Sequence, residues 1–329
     1  MAKLPVLLLA AAAACGQFQA ARIGSIEFYG YAGLDLNRLR DKAPFRVGDR
    51  VSPKEMQAAE RKAGKALGRD VTVSFICCDE QGDQFVFIGI GGRGSGAALY
   101  NPAPNGGARL PEPGRELYRT AMAALPEAVK RHTPDDNSQG YALSDYAPMR
   151  TAQLALREYA LRYPEEIRTV LATAADERER IAAAHLLGYA VKSPAQIAAL
   201  AAAARDPNET VRNNAVRALG VLAEADAGVA RAIPAGPFIA MLASPVWTDR
   251  NKALFVLSAV TAARDPEVLG KLRAQAMEAL REMAQWRSNY AQLPLLLMGR
   301  IAGIEEERLV KLVEARDATA VLEAVRALP

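Results

Sequence analysis

Residues 89 to 94 read Gly-Ile-Gly-Gly-Arg-Gly, a Gly-x-Gly-x-x-Gly spacing with which a backbone loop can wrap a pyrophosphate. That chemistry needs a helix to start among the glycines, so that its free amides meet the phosphate. The chain continues SGAALYNPAPNGGARLPEPG, whose prolines and glycines exclude that helix, and the motif reads as a strand end running into a flexible connector. Asp135, Asp136 and Asn137 carry oxygen donors, but a calcium loop needs ligands at spaced positions closed by a bidentate glutamate, so they read as a solvated loop. The histidines, His132 and His185, are not followed by glutamate, and there is no Gly-x-Ser-x-Gly elbow, phosphate loop or His-Glu-x-x-His helix. No cofactor and no metal are expected, and the chain reads as a non-enzyme.

The cysteines are equally uninviting for chemistry. Cys77 and Cys78 are adjacent, and neighbours on a strand point to opposite faces, so a bond between them needs a strained ring. The expectation is one core side chain and one partly exposed thiol. Cys15 follows an apolar run from Leu4 to Ala14 that is shorter than the roughly 20 residues of a membrane span and reads as a secretory signal. Cleavage after Ala12-x-Ala14 is one outcome. The other rests on AAAC with Gly16, which resembles a bacterial lipobox, with alanine at position 12 where that motif usually has leucine; the resemblance implies acylation of Cys15 and membrane attachment. Either way the expected location is outside the cytoplasm, as a periplasmic protein or an outer-membrane lipoprotein; a cytosolic scaffold would require the run to stay uncleaved.

The elements around these residues divide into a signal over 1–21, an α/β domain over 22–91, a Pro/Gly-rich connector over 92–114, a helix and polar loop over 115–143, and a helical array over 144–329. Half the residues are hydrophobic yet only 6% are aromatic, which favours close-packed, alanine-rich helices over a sandwich or barrel. The formal charge of +4 is small for 329 residues and the signs are interleaved, so no nucleic-acid partner is expected.

Within 22–91, RIGSIEFYG reads as a strand, LDLNRLRDKA as a short helix, and SPKEMQAAERKAGKALG as a helix opened by Ser52, Pro53 and Glu55. VTVSFICCDEQGDQFVFIGIG reads as a hairpin. This β-α-α-β-β order, with FRVGDRVSPKEM and ALGRDVTVSF at its joints, resembles the POTRA (polypeptide-transport-associated) module of bacterial envelope proteins. The resemblance implies that the strand holding Val71, Val73 and Phe75 lies at a sheet edge, where it is either covered by SGAALYNP or receives a partner strand. No β-barrel sequence follows.

In DPNETVRNNAVRALGVLA, residues 206 to 223, Asp206 is a candidate cap, Pro207 fits the first helical position and Glu209 closes a capping box. Arg212, Ala215, Leu219 and Gly220 recur 32 residues earlier as Arg180, Ala183, Leu187 and Gly188, and 38 residues later as Arg250, Ala253, Leu257 and Ser258. Each such helix follows a shorter one, and a helical hairpin cannot bury its apolar stripe alone; stacking builds one core. The arginine lies beside the stripe, within reach of acidic or carbonyl groups of the adjacent unit. Residues 164–263 resemble HEAT repeats, with degenerate continuations to the C-terminus. The fold expected is mostly α: a HEAT-like α-solenoid of stacked hairpins after a small α/β domain. The resemblance implies an adaptor or scaffold that binds a protein partner along its surface; the alternative is an enzyme or lyase using the solenoid cleft. Trp247 and Trp286 read as packing residues before interface anchors.

Overall fold

The computed structural model describes residues 21–91, 100–131 and 135–328. The signal segment with Cys15, the glycines at 92 and 94, and most of the SGAALYNP stretch lie outside the described residues. Two compact units emerge: one holds residues 100–238 and 255–263, the other 21–91, 239–254 and 264–328. The sheet, expected to form a domain of its own, thus shares a unit with helices from the second half of the chain.

That unit begins with strand β1 (Ala21–Tyr29), helix α1 (Leu36–Lys42), the two-residue strand β2 (Arg50–Val51), helices α2 (Pro53–Gln57) and α3 (Ala59–Leu67), and strands β3 (Val71–Ile76) and β4 (Gln84–Ile90). Ser52 and Glu55 form the expected capping box, and Gly68, at φ 65°, ends α3 in the left-handed conformation that glycine tolerates. The strand order is β2-β1-β4-β3, with β1 parallel to β4 and β3 antiparallel to it. β2 went unread because two residues carry no periodic signal. One sheet face packs Phe28, Ile88 and Ile90 with Leu39, Phe45, Ala59, Ala63 and Leu67 of the helical layer. Every residue of β4 is buried, so the second face is covered too.

The other unit holds α4 (Gly114–Lys130), α5 (Ala147–Arg162), α6 (Pro164–Thr173), α7 (Glu177–Leu187), α8 (Pro194–Ala203), α9 (Glu209–Ala225) and α10 (Ala227–Ala232); the boundary between the units falls within α11 (Ala235–Met241) and α12 (Trp247–Val260). α4 runs through Pro126 without a break. Hairpins α6–α7 and α8–α9 stack first helix on first and second on second. Residues 100–113 are not a loose connector: the Asn101 amide donates to the Arg205 carbonyl (2.7 Å), the Gly106 amide to Thr173 (2.8 Å) and the Ala175 amide to Gly106 (2.7 Å). Ordered backbone bonds of this kind outweigh the local preference of prolines and glycines for coil.

The second unit is completed by α13 (Pro266–Gln275), α14 (Met277–Ala284), α15 (Gln292–Ile301), α16 (Glu306–Glu314) and α17 (Ala318–Arg326), with α15 packed against α14, α16 and α17. Small residues set these approaches. A Cβ on Gly299 would enter the Leu309 side chain, and one on Gly220 would enter the Phe255 ring. Gly220→Leu is therefore expected to cost about 1–3 kcal/mol by overpacking. An unchanged melting temperature would contradict the close approach of Gly220 to Phe255.

Candidate protein-binding surfaces

The residues with the strongest sequence signal are internal. Arg180 is 2% exposed; its Nε and Nη2 donate to the two carboxylate oxygens of Asp206 at 2.7 and 3.2 Å, and its Nη1 donates to the Ala174 and Ala175 carbonyls. Asp206, expected to cap α9, is thus committed to the preceding repeat. Asn208 caps instead, its side chain accepting from the Thr210 and Val211 amides, while Asp206 also holds the Asn208 amide at 2.8 Å. The helix consequently starts at Glu209, two residues after Pro207. Arg212 donates to the Asp206 and Pro207 carbonyls and stacks 3.9 Å over the Tyr100 ring.

Arg250 repeats the theme in the other unit. Its Nε donates to the Ser244 carbonyl at 2.6 Å, its Nη1 lies 3.5 Å from Glu282, and its guanidinium covers Tyr29. Burial lowers the Arg250 pKa and raises that of Glu282, each opposed by the partner's charge. Ala183, Leu187, Ala215, Leu219, Ala253 and Leu257 are buried, and a Cβ on Gly188 would lie 2.8 Å from that of Ala218. These positions build seams and offer nothing to a partner. In the degenerate C-terminal repeats, the buried Arg300 pairs with Glu306 at 2.6 Å; it follows Gly299, whereas Arg180 and Arg212 precede their glycines by eight residues, so the repeat spacing does not point to it.

The candidate ligands of the middle segment are spent on the fold. Asp135 pairs with Arg217, Asn137 donates to Glu224 at 2.8 Å, and Asp136 accepts from the Ser138 amide. The loop is therefore strapped to α9, where a solvated loop was expected. His185 is half-buried beside Tyr118 and Tyr189 with its Nε2 enclosed, and desolvation, aided by the Arg217 charge, pushes its pKa down to about 3, so it stays neutral. Among the described residues no group of three His, Cys, Asp or Glu could hold a metal ion.

The second sheet face is closed by aromatic rings. Trp247 and Trp286 both pack on Phe87, with Tyr290 edge-on to Phe87 and Trp247, and the Trp286 indole donates to the Phe28 carbonyl at 3.0 Å. Both tryptophans are packing residues. Glu27, also buried, accepts from the Arg287 and Ser288 amides at 2.8 and 3.2 Å. Desolvation nevertheless dominates over these bonds and over the charges of Arg40 and Arg287, raising its pKa from 4.5 to about 6. The signal for this hidden face was FVFIGI in β4, an unbroken apolar run of the kind a strand buried on both sides shows.

β3 is the last strand on its side of the sheet among the described residues. The side chains of Val71, Val73 and Phe75 pack inward on the core, so it is their backbone that the edge presents. The outward Val73 amide donates to Glu60 Oε1 at 3.2 Å. Beyond the strand, Cys77 and Cys78 are joined by a disulfide and both are half-buried, correcting the expectation of two thiols. The chain has left the strand at Ile76 for a turn in which the Asp79 amide donates to the Asp83 carbonyl, so the alternation that would separate the two side chains no longer applies.

Two outcomes follow. Removing one partner of the buried Arg180–Asp206 pair, as in Asp206→Ala, should cost about 3–5 kcal/mol in denaturant unfolding, because it strands a guanidinium. For Glu27, a folded pKa raised above 4.5 means that its stabilising contribution is fully present below pH 4.5 and lost as pH rises through about 6. Between pH 7 and pH 4.5 the stability of wild type relative to Glu27→Gln should therefore rise by about 2 kcal/mol; a pH-independent difference would contradict the burial argument.

A family model for HEAT repeats matches residues 164–258, which span α6 to most of α12. No curated protein matches the sequence. That region is similar to HEAT repeats and lies in a mostly helical fold preceded by a small mixed sheet, and such repeats commonly serve protein interaction.

Proposed function

We propose that this chain is an exported, non-catalytic adaptor of the bacterial envelope that holds a protein partner through its repeat surface and its sheet edge. The observation that carries the reading is the contrast between repeat residues turned to the interior and an unfinished exterior. The recurring Arg180 and Arg212 are spent on seams, whereas β3 presents a row of backbone groups and Leu154 and Leu161, two helical turns apart on α5, are 48% and 44% exposed. Paired leucines at this spacing suit a hydrophobic contact. The POTRA-like reading is supported by the order β1, helices α1 to α3, β3, β4, with β4 between β1 and β3, although the short β2 interrupts the helices.

Export and acylation are carried by the sequence around Cys15, and no helix of the described residues is long and apolar enough to cross a membrane. The test is purification from the native host with bound proteins retained, followed by mass spectrometry of the complex and of the mature N-terminus. The expected outcome is a stoichiometric protein partner, lost on Leu154→Asp with Leu161→Asp or on blocking β3, without a drop in melting temperature. Cys15→Ser should release the protein from membranes without unfolding it. Wild type that never incorporates labelled fatty acid and fractionates as a soluble periplasmic protein would remove the lipid anchor from the reading.

A further inference from the structure

Among the described residues, a groove of about 400 Å³ runs beside the β3 edge of the sheet, lined by Glu60, Arg61, Gly64 and Lys65 of α3, by Arg69 and Asp70 of the turn, and by Val71 of β3. Its position follows from local structure. Gly68 turns α3 directly back into β3, so the helix lies along the strand, and Gly64 leaves the floor open: a Cβ there would stand 3.1 Å from the Arg69 carbonyl. Resting on the reading of β3 as a binding edge, we propose that this groove receives an extended acidic segment of a partner protein as an added strand, with Arg61, Lys65 and Arg69 facing its carboxylates.

The backbone supplies the first half of the argument. In an antiparallel ladder the amide and carbonyl of alternate residues point away from the neighbouring strand. The Val73 amide is bonded outward to Glu60, which gives Val71 and Phe75 the same outward orientation. Glu60 satisfies one of these donors with a side-chain oxygen that a partner carbonyl can replace. It acts as a guard on the edge, a charge that discourages indiscriminate pairing until a better acceptor arrives.

Charge supplies the second half. Arg61 and Lys65 are one helical turn apart and exposed on the groove rim. Among the described residues neither forms an ion pair, and the Arg69 Nε is buried with no hydrogen-bond partner. A buried guanidinium donor without an acceptor is costly, and a carboxylate is the acceptor that suits it best. Asp70 is the one carboxylate of the lining besides Glu60, so the three cations leave the groove a positive balance even after Glu60 is released from the Val73 amide. An added strand whose residues alternate apolar and acidic would place backbone on β3 and carboxylates toward α3.

The test uses the full chain and two fluorescent peptides of the same length, one alternating valine and glutamate, the other valine and lysine. Anisotropy should show the glutamate peptide binding at least about tenfold more tightly, with affinity falling as salt rises. R61E combined with K65E should weaken it about tenfold. E60A should strengthen it several-fold, and amide exchange at Val71, Val73 and Phe75 should slow on binding. V73P should abolish binding at an unchanged melting temperature; should that variant unfold, the E60A gain and the exchange pattern still decide. Equal binding of the two peptides, or indifference to charge reversal, overturns the acidic partner while leaving strand addition standing. Binding that survives V73P in a folded protein overturns strand addition itself, and so does the absence of binding by either peptide. Concentration-dependent dimerisation through β3 would assign the edge to a second copy and overturn the proposal.

Discussion

A guanidinium removed from water must be given acceptors, and that requirement organises the helical repeats. Arg180 lies on the seam between successive hairpins and consumes both oxygens of Asp206 together with two carbonyls at the end of α6. Because Asp206 belongs to the next hairpin, the bond fixes how one repeat is placed on another, a specificity that apolar stacking alone would not enforce. Asp206 in turn decides where α9 begins. With its carboxylate occupied, capping passes to Asn208, and Arg212 then closes the turn by taking the Asp206 and Pro207 carbonyls. One aspartate thus couples the packing of a repeat to the start of its second helix.

The sheet unit meets the same requirement in another form. β4 is buried along its whole length, so a sheet of four strands needs a layer on each face. Helices α1 to α3 provide one layer, and the aromatic group of Trp247, Trp286 and Tyr290 provides the other. Polar contacts fix the register of that second layer: Glu27 holds the amides of Arg287 and Ser288, Glu282 accepts from the Gly30 amide at 2.6 Å, and Arg250 reaches Ser244 and Glu282. Residues more than 200 positions apart in sequence are thereby joined, as when Trp286 donates to Phe28.

That long separation explains what was legible and what was not. Hairpins, caps and repeat spacing are local or periodic, so α6 to α9, the β3–β4 turn and the helical stretch from Pro53 to Leu67 could be read directly from residue types, but not the break at Ala58 that divides that stretch into α2 and α3. The mostly helical architecture and the repeat resemblance follow from those signals. The second sheet layer depends on pairings without any periodicity, and the two-residue β2 depends on register alone. The Asp206 error has a sharper cause: Asp-Pro-Asn offers two residues able to cap, and the arginine of another repeat chooses between them. Cys77 and Cys78 were misread because strand alternation was extended past Ile76, where the chain already turns toward Asp79.

Periodicity also biases where function is sought. Residues that recur at fixed spacing are the ones required by stacking, and here the recurring Arg, Ala, Leu and Gly are buried. On the reading proposed above, a partner would meet what stacking leaves outside: the backbone edge of β3, the exposed leucines of α5, and the cations along α3. None of these has a repeat to announce it. The β3 edge is nonetheless detectable by its chemistry, since a strand whose apolar side chains all face inward contributes only amides and carbonyls to the surface, and such groups are satisfied by water, by a guard such as Glu60, or by another strand. The placement of cations beside that row makes the third choice selective, because affinity from backbone bonds is sequence-blind and discrimination has to come from the charges at the rim.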